Sequence, residues 1–159
     1  MIQTAGSALI LTALLSLSIS FGQVAEAPAQ PRKPLRERLL ERALKGDAGA
    51  QFDLGKNYET GRIGLPKDFA QAEHWYREAA GQGDPYAQAS LGILFNFGKG
   101  VPKDDVQALM WYELAVSHSS GPDRESITEL RDNLVERMAA DRILEARRLA
   151  KEWKPSVHP

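Results

Sequence analysis

Residues 46–80 read GDAGAQFDLGKNYETGRIGLPKDFAQAEHWYREAA, and residues 83–116 read GDPYAQASLGILFNFGKGVPKDDVQALMWYELAV. The two segments align at an offset of 37 residues, which falls to 36 in the loop because the first segment has one extra residue there. Sixteen positions of the alignment are identical, too many for similar composition alone. The chain therefore contains an internal repeat, and each copy is one supersecondary unit that buries its apolar face against its neighbours.

Each copy predicts two helices joined by a loop that contains glycine and proline. Gly61 and Gly98 are placed to end the first helix of each copy in the left-handed conformation. Gln71 and Gln107 lie three residues after the aspartates at 68 and 104 that precede the second helices, the spacing of a capping box. An aspartate stands before each of the four helices, where it can cap the free backbone N–H groups: Asp47, Asp68, Asp84 and Asp104.

The recurring residues inside the helices favour packing rather than chemistry. Gly55 and Gly92 lie in mid-helix, where glycine costs about 1 kcal/mol relative to alanine. That cost indicates a close approach, which we expect to come from another helix backbone. The Trp-Tyr pairs at 75–76 and 111–112 supply the bulk that fills the space between helices.

Two repeats need covers at both ends, because a stacked unit exposes an apolar face where it lacks a neighbour. Residues 35–45 predict a half-repeat helix with an apolar stripe that includes Leu35, Leu40 and Leu44. Residues 122–154 predict two capping helices, the first beginning at Pro122 or Asp123 and the last ending before Pro155.

The repeat resembles a known family. The pattern A-Q-x-x-L-G-x-x-Y/F-x-x-G, then G-x-P-K-D, then Q-A-x-x-W-Y-x-x-A is similar to the Sel1-like repeat, an α/α relative of the tetratricopeptide repeat. The closing segment from Arg137 to Trp153 also resembles the end of many bacterial members. The resemblance implies an all-α, right-handed α/α solenoid over residues 35–154 and a role in protein–protein contact, without a substrate.

The N-terminal segment predicts export. Residues 8–21 read ALILTALLSLSISF, and the first charged side chain is Glu26. This apolar run is shorter than the roughly 20 residues of a membrane-spanning helix and is typical of a secretory signal peptide. We therefore expect a signal peptide at 1–27, a proline-rich linker at 28–34, a periplasmic or secreted bacterial location, and no stable membrane insertion after signal removal. An uncleaved anchor or a buried apolar helix is the alternative.

Composition excludes several classes of function. The chain has 159 residues, 20 basic and 21 acidic side chains and no cysteine. Balanced charge argues against nucleic-acid binding, and the lack of cysteine excludes disulfides, thiolate metal ligands and thiol catalysis. His74 aligns with Met110 in the second copy, and His118 favours a solvated or C-capping imidazole. No catalytic residue, cofactor or metal site is therefore expected.

One face of the first helices differs between the copies while the opposite face is constant. In this solenoid class the first helices line the concave surface. We expect the variable face to bind another protein or peptide through Phe52, Lys56, Thr60, Arg62, Ala89, Ile93, Asn96 and Phe97. The alternative for Ile93 and Phe97 is packing against the adjacent first helix or the C-terminal cap.

The leading functional hypothesis is a non-enzymatic interaction module or adaptor of the bacterial cell envelope. An envelope enzyme acting on peptidoglycan or its precursors is one alternative, and it would need a convergent acid/base or nucleophilic site that the motifs do not provide. A self-assembling structural unit is another, because solenoids can stack end to end. The sequence indicates neither the partner nor the oligomeric state.

Overall fold

The computed structural model describes residues 33–156, which form seven α-helices and no strand. The prediction of an all-α fold is thus confirmed for this part of the chain. The signal peptide at 1–27 and residues 28–32 of the linker lie outside the described residues. The helices are α1 (Leu35–Leu44), α2 (Ala48–Thr60), α3 (Phe69–Gly81), α4 (Pro85–Phe97), α5 (Asp105–His118), α6 (Gly121–Val135) and α7 (Ala140–Glu152).

The ends of the repeat helices follow the predicted capping pattern. The carboxylate of Asp47 accepts from the N–H of Ala50 at 2.9 Å, and Asp84 makes the equivalent bond one repeat later. Asp68 and Asp104 cap the second helices in the same way. The first helices end at left-handed glycines, so local sequence alone determines where α2 and α4 begin and end.

The predicted capping box is wrong. Its second half would use a glutamine side chain to bind the backbone N–H of the capping aspartate. The N–H of Asp68 instead donates to the carbonyl of Tyr58, and that of Asp104 donates to the carbonyl of Phe95, both at 2.9 Å. The loop folds back onto the preceding helix and supplies a backbone acceptor, so Gln71 and Gln107 are not needed there.

The mid-helix glycines make room for tyrosine rings. A Cβ atom on Gly55 would lie 2.6 Å from the ring of Tyr76, and one on Gly92 would lie 2.4 Å from the ring of Tyr112. Both tyrosines are buried. The expected close approach therefore exists, but it is made chiefly by a side chain of the second helix and not by its backbone.

Buried glutamines join consecutive repeats. The side-chain amide of Gln51 donates to the carbonyl of Ala43 in α1 and accepts from Gln82 after α3. Gln88 makes the equivalent bond to the end of α3, and its oxygen lies 2.9 Å from Nδ1 of His118. His118 occupies the position of Gln82 in the next repeat. It is therefore bonded across a repeat junction, and it is also exposed, as expected of a solvated imidazole.

The two ends of the helical unit are covered unequally. α1 buries Leu39 and Ala43 against α2, whereas Leu35, Leu40 and Leu44 remain exposed. At the other end, α6 begins at Gly121, one or two residues earlier than predicted, and both α6 and α7 pack on α5. None of the described helices is long and apolar enough to cross a membrane.

The segment after α7 returns to the second helices. The Trp153 ring contacts Trp111 edge to face, with 6.4 Å between centroids, and lies 5.9 Å from the imidazole of His118. The N–H of Ser156 then donates to the carbonyl of Gly81, the last residue of α3, at 2.7 Å. The tail thereby covers part of the groove between α3 and α5.

Candidate functional site

The first helix of each repeat and α6 together line a cavity of about 210 Å³. We call it the first-helix pocket. α2 contributes one aromatic side chain, α4 forms the centre, and the start of α6 closes the far side. Its lining residues are Phe52, Tyr86, Ala89, Ser90, Asp123, Ser126 and Ile127.

Aromatic packing and one hydrogen bond shape this pocket. The Phe52 ring lies 5.8 Å from both Tyr76 and Tyr86, so α2, α3 and α4 meet at one aromatic cluster. The hydroxyl of Tyr86 donates to the carboxylate of Asp123 at 2.6 Å. This bond raises the pKa of Tyr86 and joins α4 to α6 across the opening. The pocket thus has an apolar floor and a polar rim, the arrangement typical of a ligand-binding surface.

Four of the predicted binding residues are exposed. Lys56, Thr60 and Arg62 lie at the exposed end of α2, where the Thr60 hydroxyl donates to the carbonyl of Lys56 within the helix. Phe97, at the end of α4, is 61% exposed. The Lys99 ammonium lies 5.6 Å from the centre of its ring.

Of the remaining predicted residues, Phe52 lines the first-helix pocket, whereas Ala89, Ile93 and Asn96 are buried or half-buried. Asn96 is buried, and its side-chain oxygen accepts from the guanidinium of Arg137 at 2.6 Å. Ile93 is half-buried against a cluster that includes Leu134 of α6, so the alternative of packing on the C-terminal cap describes it. Ala89 is also buried and reaches only the wall of the first-helix pocket. The reason is that α6 covers this side of α4.

Sequence reasoning missed most of the pocket. Tyr86 and Ser90 share a helical face with Ile93 and Phe97, so the period of 3.6 residues could have identified them. Asp123 and Ile127 carried no comparable signal, because their place beside α4 depends on how α6 folds back onto α5.

A basic edge lies beside Phe97. It consists of Arg62, Lys67, Lys99 and Lys103 in the loops that follow α2 and α4. The ammonium groups of Lys67 and Lys99 lie 4.9 Å and 5.9 Å from the centre of the Phe69 ring. These cation–π contacts hold positive charge next to exposed aromatic surface.

The pKa shifts of the titratable groups near the first helices are caused by burial and hydrogen bonding. The Tyr76 hydroxyl donates to the Glu59 carboxylate at 2.7 Å, and burial together with this bond raises the pKa of the phenol far above its ordinary value. Burial likewise raises the pKa of the Asp84 carboxyl. Within residues 33–156, no group of three or more histidine or acidic side chains is placed to hold a metal ion.

The stacked helix pairs define an α/α repeat protein. The family model of the Sel1 repeat matches residues 48–84 and 85–120. The chain therefore carries two Sel1 repeats, as its sequence pattern predicted, with boundaries a few residues later than the expected 46–80 and 83–116.

Known proteins support this assignment. The chain is 36% identical over 64 residues to the ERAD-associated E3 ubiquitin-protein ligase component HRD3A of Arabidopsis thaliana, a match that covers 40% of this chain and 9% of that protein. Among solved structures, a protective antigen of uropathogenic Escherichia coli with an SLR fold superimposes with a TM-score of 0.67 at 34% identity, over 73% of this chain and 24% of the antigen. A Sel1 repeat protein from Oxalobacter formigenes gives 0.53 at 36% identity, over 60% of this chain and 39% of the other. The chain thus spans well under half of each relative's length.

Proposed function

We propose that this protein is a non-enzymatic interaction module that binds a segment of another protein along its first helices. The observation that carries the proposal is the pairing of the first-helix pocket with an exposed phenylalanine on the same face of α4. Exposure of a large apolar side chain to water costs free energy, and a bound partner that covers the side chain would remove this cost. The Sel1 repeats support this reading, because helical repeat solenoids use their extended surfaces for binding.

The spacing of the two features limits the size of the bound segment. Tyr86 at the pocket and Phe97 at the basic edge are eleven residues apart on one helix, about 16 Å at the helical rise of 1.5 Å per residue. An extended peptide covers that distance in about five residues. The partner segment should therefore place one apolar side chain in the pocket and acidic residues next to Phe97, where the lysines lie.

A further part of the proposal is that the module works in the bacterial envelope after export. The uncharged apolar run of residues 8–21 supports it, as do the bacterial sources of the two similar structures. The N-terminal sequence of the mature protein, isolated from the periplasm of a bacterial host, tests this part. A chain that retains residue 1 and stays in the cytosol would contradict it.

The binding proposal is tested by affinity capture from bacterial envelope extract with three baits. They are the unchanged protein, the double variant Tyr86→Ser/Phe97→Ser, and the control Leu144→Ser on α7. All three positions are exposed, so the folding of each bait should stay unchanged, which circular dichroism checks. We expect one partner with the unchanged and control baits, and at least about tenfold less with the double variant. Equal capture by all three baits would contradict the proposal.

A further inference from the structure

A second, smaller cavity adjoins the first-helix pocket at the start of α6. We call it the side cavity; its volume is about 120 Å³, and it is lined by Pro85, Tyr86, His118, Ser119, Ser120 and Asp123. Tyr86 and Asp123 also line the first-helix pocket. The two cavities therefore meet at these two side chains, which are joined by a hydrogen bond.

The two cavities differ in their chemistry. The first-helix pocket presents mainly apolar surface, from side chains such as Phe52 and Ile127. The side cavity instead presents a carboxylate, an imidazole and two aliphatic hydroxyl groups. A partner segment that fills both cavities therefore needs an apolar side chain for one and a polar side chain for the other.

The imidazole of His118 offers an acceptor to the side cavity. The side-chain amide of Gln88 donates to the carbonyl of Ala80, so the Gln88 oxygen is the atom that accepts from Nδ1 of His118. A neutral ring that carries its hydrogen on Nδ1 has a lone pair on Nε2. The hydrogen bond across the repeat junction thus fixes which ring nitrogen can accept from a ligand.

Two more acceptors come from the start of α6. Ser120 precedes the helix, and its hydroxyl caps no backbone N–H group of α6. The Asp123 carboxylate accepts from the Tyr86 hydroxyl at 2.6 Å and keeps lone pairs for a further donor. Together with Nε2 of His118, these groups match a side chain that carries several N–H donors.

The charge at this end of the first helices is negative. Neither cavity has a lysine or arginine among its lining residues. The bond to Asp123 is the main cause of the raised pKa of Tyr86, and the charge of Asp84 adds to it. Burial is the main cause of the raised pKa of Asp84, and the charge of Asp53 adds to that. Three carboxyl groups thus lie around Tyr86, whereas the basic edge lies beside Phe97 at the other end of α4.

We propose that the side cavity binds a lysine or arginine side chain of the partner segment, within two residues of the apolar side chain that enters the first-helix pocket. Its N–H groups donate to Asp123, Ser120 and Nε2 of His118. In an extended segment, side chains two residues apart point the same way and lie about 6.6–6.8 Å apart, which matches two adjoining cavities. This inference rests on the proposed function, because it assigns a second position of the same segment.

The occupant is a segment of another protein with charges in a fixed order. From Tyr86 to Phe97 the order is basic, apolar and acidic, opposite to the charges of the surface that it covers. The large exposed apolar side chains of residues 33–156 all belong to helices, so a second copy offers no described extended segment with an exposed apolar anchor.

Selection from a random peptide library displayed on phage, with the full chain as bait, identifies the preferred sequence. We expect the enriched peptides to carry lysine or arginine within two residues of a large apolar residue, and aspartate or glutamate about five residues beyond it on the other side. Enriched peptides that require Tyr86 and Phe97 but lack the basic residue would overturn this inference and leave the proposed function standing. If no peptide is enriched, both are wrong.

Protein variants locate the basic residue of an enriched peptide, which is labelled with fluorescein and titrated while anisotropy is recorded. Asp123→Asn removes the charge but keeps an oxygen that can accept from Tyr86, and it should weaken binding about three- to tenfold. Asp141→Asn is the matched control, because Asp141 is also an exposed aspartate in the first turn of its helix and lines neither cavity. It should leave binding unchanged.

A double-mutant cycle tests the contact itself. Glutamine in place of the peptide's basic residue should weaken binding by the same factor and abolish the effect of Asp123→Asn. If the effects of the two changes multiply, the basic residue binds elsewhere and the inference is wrong. Self-association of the chain that Asp123→Asn reduces, measured by sedimentation, would contradict the choice of another protein as the occupant.

Discussion

Glycine at the centre of α2 and α4 is what lets the two helices of each repeat pack closely. Helix propensity alone favours alanine at these positions by about 1 kcal/mol. The rings of Tyr76 and Tyr112 occupy the space that a methyl group would need. Packing of a buried aromatic ring against the helix therefore outweighs the propensity of a single residue.

Alanine at these positions should destabilise the protein although it is the better helix former. For Gly55→Ala and Gly92→Ala we expect the free energy of unfolding in urea to fall by about 1–3 kcal/mol, the usual cost of overpacking. Gly49→Ala in the first turn of α2 is the control, because a Cβ there meets its nearest atom at 3.5 Å. That variant should be neutral or more stable, and equal losses in all three would contradict the packing explanation.

The capping aspartates of the two first helices have opposite electrostatic environments. The N–H of Ala50 and the guanidinium of Arg42 lower the pKa of Asp47, whereas burial raises the pKa of Asp84. Asp47 therefore contributes stability above its unfolded pKa and loses it as the pH falls through the folded value. Asp84 favours the folded state at low pH and loses that contribution as the pH rises through its folded pKa.

Substitution of each capping aspartate by asparagine should distinguish the two electrostatic environments. Asp47→Asn should reduce the free energy of unfolding at neutral pH, and the deficit should shrink as the pH falls through the acid range. Asp84→Asn keeps a capping oxygen and removes a buried charge, so it should cause no deficit at neutral pH. Urea unfolding at a series of pH values measures both, and an identical pH dependence for the two variants would contradict the assignment.

At the scale of helices, α7 and the tail hold the C-terminal end of the stack together. α7 packs on α5, and the tail that follows reaches the end of α3. Trp153 belongs to the same apolar cluster as Tyr76, Leu91 and Trp111. One side chain near the end of the described chain thus links the cap to both repeats.

Removal of this ring should loosen the cap. Trp153→Ala should lower the free energy of unfolding by about 1–3 kcal/mol, less than for a fully buried tryptophan because Trp153 is half-buried. Leu144→Ala on the exposed face of α7 should change it by less than about 0.5 kcal/mol. Equal effects of the two substitutions in chemical denaturation would show that the tail contributes nothing.

The sequence predicted the helices and their ends well, but it predicted poorly the contacts between helices that are far apart in the chain. Asp47 and Gly61 determine the ends of α2 through bonds to neighbouring residues, so the periodic pattern identified them. The burial of Asn96 depends on Arg137, which is 41 residues away and has no counterpart in the repeat. The candidate site was predicted only in part for the same reason, since α6 covers half of the face expected to be free.

At the scale of the helical unit, stability should decrease from the centre towards α1. α5 buries nine of its fourteen residues, whereas α1 buries two of ten. In a repeat stack each element is stabilised chiefly by its neighbours, so a terminal helix with exposed leucines opens more easily than the central helices.

Hydrogen exchange followed by mass spectrometry should reveal this gradient. Among α1 to α5, we expect the amides of α1 to exchange fastest and those of α5 to exchange slowest. The control is Leu39→Ala, which removes one of the two buried side chains of α1 and should speed exchange there while α5 is unchanged. Uniform protection from α1 to α5 would indicate a single cooperative unit instead.

The hydrogen bonds that Gln51 and Gln88 make between consecutive repeats affect how such a protein can change length in evolution. Gln51 bonds to Ala43 of α1 and to Gln82 just after α3, and Gln88 bonds to Ala80 of α3 and to His118 at the end of α5, so each repeat carries a complete connector. A duplication of residues 48–84 would place Gln51 of the new copy next to Ala80, the acceptor that Gln88 uses now. Gene duplication in whole-repeat steps can therefore lengthen the stack of helices without a new junction having to arise by mutation.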